Sequence, residues 1–272
     1  MTNVTDPDIF DPFYKLTGLM MRTVGKTSDS IRLGITRGFD SGEMMDCIYR
    51  NRASGRYGIG WLIDLFYLDQ AGCRGLRGRK VELKRVLRET IAAQRAQGIR
   101  PVIVDVASGP GNYLVETFAE DGGKDITALC RDRDEHGLTR GRALAQQFGV
   151  ENIRYARGDA LNESELRALT PRPTIMIASG FYELLNDDEM IRRQMRLNRA
   201  ALAPGGAFIF TTQVNHPQLK LIAKTLNNRD GEPWVMKNRA AAQTEGWARD
   251  AGFQQISSVL APPGLYAVAV AR

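Results

Sequence analysis

The run Val102-Ile103-Val104-Asp105-Val106-Ala107-Ser108-Gly109-Pro110-Gly111-Asn112-Tyr113 constrains this chain more than any other stretch. Its first five residues are apolar and mostly β-branched, apart from Asp105. They fit a strand buried on both faces of a parallel sheet. A glycine turn follows, and then Tyr113-Leu114-Val115-Glu116-Thr117-Phe118 has the periodicity of a helix. Strand, glycine turn and helix form the unit with which an open α/β sheet builds a nucleotide site at the carboxyl end of a strand. Gly109 and Gly111 allow the backbone to approach a ligand where a Cβ would collide. A dinucleotide fingerprint would need a third glycine at Leu114, and a P-loop would need Gly-Lys-Ser/Thr; neither is present.

The arrangement Asp105-x-Ala107-x-Gly109-x-Gly111 resembles the first motif of class I S-adenosylmethionine (SAM) methyltransferases. The resemblance implies SAM as cofactor, with Asp105, Ala107, Ser108, Gly109, Gly111 and Asn112 around its methionine part. A second carboxylate for the ribose is expected at the end of the next strand, roughly 20 residues past the turn. Asp132 stands there, with Asp134 as a nearby competitor. After the third strand, Arg157-Gly158-Asp159-Ala160 resembles the family's adenine segment. Gly158, Asp159 and Ala160 are therefore expected at the adenine, and a helix N-cap role for Asp159 is compatible with this.

Two further segments fall where this fold places its chemistry. Ser179-Gly180-Phe181-Tyr182-Glu183-Leu184 follows the fourth strand. Ser179 is expected beside the cofactor. An aromatic face from Phe181 or Tyr182 suits a sulfonium or an amine, and Glu183 could orient an amine or act as a base. Thr211-Thr212-Gln213-Val214-Asn215-His216 follows the fifth. His216 is one of only two histidines, and an imidazole titrating near neutrality would suit a general base. Tyr182, Glu183 and His216 are thus the expected catalytic residues, converging beside the sulfonium. His136 reads as surface.

Strand–helix alternation from Pro101 onward predicts strands at 102–106, 126–130, 153–156, 174–178 and 207–212. Helices are predicted between them, and again at 217–226 and 239–251. Residues 254–260 and 266–270, split by Pro262-Pro263-Gly264, predict an antiparallel hairpin. The fold expected is α/β: a Rossmann-like, seven-stranded class I methyltransferase sheet, mostly parallel with a C-terminal antiparallel hairpin. Residues 1–98 show no convincing strand and predict an all-helical N-terminal cap that shapes the substrate region, with the SAM-binding domain at 99–272. Asp40 with Glu43 suggests a capping box. Val81, Leu83, Val86, Leu87 and Ile91 suggest the apolar side of a helix over 80–97. Arg74 to Lys80 reads as a solvated basic connector. Tyr14, Tyr49 and Tyr57 are candidate substrate contacts from the cap.

Arg131-Asp132, Ser179 to Leu184, His216-Pro217-Gln218-Leu219, Gly231-x-Pro233-Trp234-Val235-Met236 and Ala251-Gly252-Phe253 make the resemblance closer. It is to a bacterial family of class I methyltransferases, over about residues 30–271. Some relatives in that family carry the same module behind an α/β-hydrolase domain. The function this implies is methyl transfer from SAM to a small-molecule or lipid-like acceptor. Ring closure within SAM, releasing methylthioadenosine, is an alternative from the same superfamily. RNA binding or RNA methylation is another, and a relative that binds SAM without turnover is a third. The net charge of +6 motivates the RNA reading. The arginines are dispersed, however, and no Asn/Asp-Pro-Pro-Tyr/Phe motif is present, which argues against nucleic acid. Three scattered cysteines without a C-x-x-C, and so few histidines, argue against a zinc site. Free thiols, an acidic N-terminus (Asp6, Asp8, Asp11) and the lack of an apolar span suggest a cytoplasmic protein without membrane spans.

Overall fold

The computed structural model describes residues 7–272 except 122 and 124; Asp6 lies outside the described residues. The chain divides into two compact units. One comprises the residues up to Gly78 together with His216–Lys237, and the other comprises Arg79–Asn215 with Asn238–Arg272. The expected boundary at residue 98 therefore does not coincide with this division, because the helix before the first strand contributes to the sheet's core.

The second unit carries a seven-stranded sheet. In chain order its strands are β1 (Val102–Asp105), β2 (Thr127–Asp132), β3 (Ile153–Arg157), β4 (Ile175–Ala178), β5 (Ala207–Gln213), β6 (Ile256–Ala261) and β7 (Tyr266–Ala271). Their spatial order is β3-β2-β1-β4-β5-β7-β6. The first five pair in parallel, and β7 inserts antiparallel between β5 and β6. The hairpin and the sheet class match the expectation.

Side-chain alternation explains why these runs are apolar throughout. Ile103, Ile175, Ile177 and Ile209 enter one core, while Val104, Met176, Ala178, Phe208 and Phe210 enter the other. Successive residues of a strand face opposite ways, so a sheet covered on both sides needs both sets. The first core is closed by α5 (Ala71–Ala96), α6 (Asn112–Asp121) and α7 (Glu135–Gln147), through residues such as Leu87, Leu114 and Ala145. The second is closed by α8 (Glu163–Arg167), α9 (Asp188–Ala201) and α11 (Ala241–Asp250), through Leu166, Ile191 and Trp247. Each fully buried Leu or Ile contributes about 1.5–3 kcal/mol relative to exposure. The chain leaves β1 towards β2 and β3, then returns at β4 on the other side of β1. That reversal opens a crevice at the carboxyl ends of β1 and β4, the usual ligand position in open α/β sheets.

α5 departs from expectation. It begins at Ala71, so Arg74 to Lys80 is helix rather than connector. Its sheet-facing stripe is Leu83, Val86, Leu87 and Ile91, whereas Val81 is exposed. Position 81 falls off the stripe that 83, 87 and 91 define at helical spacing.

The helical unit contains α1 (Asp11–Arg22), a 3-10 turn at Val24–Thr27, α2 (Asp29–Arg37), α3 (Gly42–Arg50), α4 (Ile59–Leu68) and α10 (Leu219–Thr225). Asp64 organises it. This fully buried carboxylate accepts from Ser28 Oγ (2.5 Å), Ser30 N–H (2.8 Å) and Ser54 N–H (2.9 Å), tying α2 and the segment before α4 to α4 itself. The expected capping box shifts by one residue. Ser41 caps α3, accepting from Met44 N–H at 3.2 Å, and Asp40 instead accepts from Arg229 N–H at 2.7 Å. Among the described residues no helix is long and apolar enough to cross a membrane.

Candidate active site

The turn after β1 has the form its glycines require. Gly109 has φ +52° and Gly111 φ +66°. A Cβ at Gly109 would meet nothing within 4 Å, so the turn borders open space at the sheet edge. A Cβ at Gly111 would lie 2.8 Å from Cys130 Sγ. Gly111 is therefore required by packing against β2, and Gly109 is the position at which a ligand can approach. Gly137, in the first turn of α7, packs on the Gly109 backbone, where a Cβ would come within 3.3 Å.

Asp132 closes the turn from β2. Its Oδ2 accepts from Gly109 N–H at 2.8 Å and its Oδ1 from Asp134 N–H at 2.9 Å. Each carboxylate oxygen can accept a second hydrogen bond, which leaves capacity for a diol. Asp134 caps α7 by accepting from His136 N–H, and His136 is exposed as expected. Ser108 N–H donates to Arg131 O and Ser108 Oγ to Gly109 O, both at 3.0 Å. Ala107 and Asn112 are half-buried at the same turn.

Asp105 lies beneath this turn, fully buried. It accepts from Tyr113 Oη at 2.5 Å and from Ala107 N–H at 3.3 Å. Burial raises its pKa to about 7 against the opposing effect of those two hydrogen bonds. Its contacts make it a support of the turn.

After β3, Gly158 abuts Arg131, whose guanidinium would lie 2.3 Å from an added Cβ. Arg131 is buried and paired with Glu165. Asp159 accepts from Leu161 N–H at 2.9 Å, and its own N–H donates to Glu165 Oε2 at 3.1 Å. Asn162, not Asp159, caps α8. Asp159 is half-buried, and Ala160 is buried in the second core.

The segment after β4 differs most from expectation. Tyr182 is buried in the second core against Phe210 and donates to Gln194 Oε1 at 2.5 Å. Its ring serves the core, a placement that gives no support to a sulfonium-facing role. Glu183, next in sequence, is buried as well. Its Oε1 accepts from Arg79 Nη1 at 2.5 Å, while Oε2 has no hydrogen-bond partner among the described residues. Burial raises its pKa, opposed by Arg79. Arg79 also lies over the Tyr266 ring, 4.9 Å from its centroid, and against Gly180, which has φ +72°. Gly180 N–H donates to Thr211 Oγ1 at 2.9 Å. Ser179, just before it, is half-buried. Arg239 fixes the same loop, donating to Tyr182 O at 2.9 Å, to Leu185 O at 2.5 Å and to Asp188 Oδ1 at 3.0 Å. The sequence reading places Arg79 only within the solvated basic connector, whereas it is buried, and Arg239 is not singled out. Arginines are too frequent in this chain for either to be conspicuous, although Arg79's position one helix before β1 was readable.

His216 belongs to the helical unit, whereas Tyr182 and Glu183 belong to the sheet unit. Its ring is buried, with Nε2 close to Gly72, and Nδ1 accepts from Gln218 N–H at 3.2 Å. An accepting Nδ1 places the proton of the neutral ring on Nε2. Burial lowers its pKa to about 4, so the near-neutral titration expected of this residue does not hold. Of the three cap tyrosines, Tyr57 is 86% exposed with φ +60°, and Tyr14 and Tyr49 are half-buried.

A seven-stranded sheet in this order, with a glycine turn after β1 and an acid closing it from β2, defines the class I SAM-dependent methyltransferase fold. Residues 5–272 match the model of a family described as "Putative methyltransferase", and the chain belongs to that family. It is 37% identical over 264 residues to the uncharacterized protein YnbC of Escherichia coli K12, covering 96% of this chain and 45% of that protein. The chain thus spans less than half the length of this curated relative. Among solved structures it is similar to a possible exported protein from Bordetella parapertussis (TM-score 0.70, 18% identity, 94% of this chain and 85% of that one). It is also similar to magnesium protoporphyrin IX methyltransferase from Synechocystis PCC 6803 with bound S-adenosylhomocysteine (TM-score 0.55, 14% identity, 88% and 98%).

Proposed function

We propose that this chain is a SAM-dependent methyltransferase acting on a small-molecule or lipid-like acceptor. The observation that carries the proposal is the open turn at Gly109, whose N–H is held by Asp132 at the carboxyl edge of β1 and β2. The residues fit SAM: Gly109 would border its methionine chain, Asp132 its ribose diol, and Asp159 its adenine amino group. Ala107, Ser108, Asn112, Gly158, Ala160 and Ser179 would complete the surround.

When bound, SAM supplies an electrophilic methyl on sulfur. The chain's own residues would hold the acceptor in line with it, since methyl transfer gains most from alignment. Glu183 is the proposed base or acceptor-orienting group, because its Oε2 is buried and unpartnered among the described residues and its basicity is raised. Arg79 holds Glu183 in place. Burial keeps His216 neutral at physiological pH, which weighs against the general-base role expected of it. Tyr182 shapes the loop from behind.

The cytoplasm is the proposed compartment, supported by the free thiols of Cys47, Cys73 and Cys130. The reaction is tested by incubating the protein with SAM and a panel of hydroxyl, amine and carboxylate acceptors, with both nucleoside products resolved. Acceptor-dependent S-adenosylhomocysteine is expected. Methylthioadenosine instead would replace methyl transfer with ring closure.

A further inference from the structure

Among the described residues, the helical unit exposes an apolar face that its own elements do not cover. α4 is apolar at every position but Gly60 and Asp64, and Asp64 is buried. At about 100° per residue, Gly60, Asp64 and Leu68 form the inward stripe. Ile59, Leu62, Leu65 and Phe66 point away and are 48–71% exposed. A helix that is apolar all round is normally enclosed. α1 has the same arrangement: Gly18 is its buried position, while Phe13, Leu16, Leu19 and Met20 are 56–59% exposed. The 3-10 turn at Val24–Thr27 packs against both helices, and exposed Val24 lies on it.

The charges on these elements indicate what covers the face. Lys15, Arg22 and Lys26 lie on α1 and the turn, and Arg50, Arg52 and Arg56 end α3 or lead into α4. All six are exposed, and none is in an ion pair among the described residues. The neighbouring acids are already neutralised: Asp8 pairs with Lys220, Asp11 with Lys224, and Asp69 with Arg74. A second copy of the chain would bring cations against cations around such a patch. An anionic bilayer would satisfy both features, with the apolar side chains in the headgroup–acyl boundary and the cations at lipid phosphates. Trp61 and Tyr57, both exposed, are the aromatic types that settle at that boundary.

We propose that the α1–α4 face docks this protein on an anionic membrane surface. It lies on the bilayer, since no described helix can cross it. The test is sedimentation of the full chain with phosphatidylcholine vesicles, with and without phosphatidylglycerol. The chain should pellet with the anionic vesicles and be released by salt. Leu62→Glu combined with Phe66→Glu should lower partitioning by about tenfold or more. Arg52→Glu with Arg56→Glu should weaken binding to anionic vesicles by more than about fivefold. All four side chains are exposed, so circular-dichroism melts and SAM affinity should be unchanged. A variant that keeps both but leaves the vesicles has lost docking rather than its fold. Docking also stands or falls independently of SAM binding. Absence of pelleting with anionic vesicles, or pelleting that neither variant alters, overturns the proposal. So does a dimer in sedimentation equilibrium that Leu62→Glu with Phe66→Glu dissolves, because that assigns the face to a second copy.

Discussion

Asp105 is conspicuous in sequence, and in the structure it is fully buried beneath the turn. Its motif position suggests a ligand contact, and its two oxygens also accept from Tyr113 and Ala107, within the protein. Its pKa is raised from 3.8 to about 7. For an acid with a raised folded value, the folded state holds its proton where the unfolded chain has released it. Stability is therefore full below pH 3.8 and declines as pH rises towards 7. The decline is at most roughly 4 kcal/mol at about 1.4 kcal/mol per unit. Asp105→Asn cannot ionise, so its melting temperature relative to the parent should climb across that interval and level off above it. Thermal melts at closely spaced pH values check this, and a constant difference would show that Asp105 is ionised throughout. The contrast between Tyr182 and Glu183 illustrates a limit on sequence reading. Adjacent residues in a 3-10 turn diverge in direction, and only packing shows that the ring enters the core while Glu183 Oε2 has no partner among the described residues. The depressed pKa of His216 likewise comes from burial that no local motif encodes.

At the scale of elements, the strands and crossover helices were largely legible, because double-sided burial writes continuous apolar runs and helices write a 3.6-residue period. The strand ends moved by at most a few residues. α5 was misread at its start because glycines and arginines mask a helix whose cohesion is tertiary. The α3 cap moved from Asp40 to Ser41 because Asp40 has a distant partner, Arg229. Asp64 was not singled out, since a single acid in an apolar helix gives no sign of three donors from elsewhere in the chain. Asp64→Ala would strand Ser28 Oγ and the N–H of Ser30 in the interior and remove the partner of Ser54 N–H, which belongs to an exposed residue. The expected cost is about 3–5 kcal/mol, read as a lower denaturant midpoint, with Asp64→Asn recovering part of it. An unchanged midpoint would mean that water replaces the carboxylate.

At the scale of the molecule, the sheet class and the edge proposed for the cofactor are read from one twelve-residue run and its spacing to Asp132. The division into units is not, because residues 216–237 return to the helical unit after β5 and no composition shift marks the return. The helices α1 and α4 of the predicted cap keep their outward apolar stripes exposed. Periodicity identifies an apolar stripe but not what covers it. The central claim is that the carboxyl edge of β1 and β2 binds SAM at the open Gly109 turn. Titration calorimetry of the parent and of Gly109→Val with SAM tests it most directly, with circular dichroism as the check on folding. The variant places a branched side chain in space that is otherwise open and at a positive φ, so a modest loss of stability is expected with the fold retained. The account predicts one SAM site in the parent and none detectable in the folded variant; equal affinity in the two would contradict it.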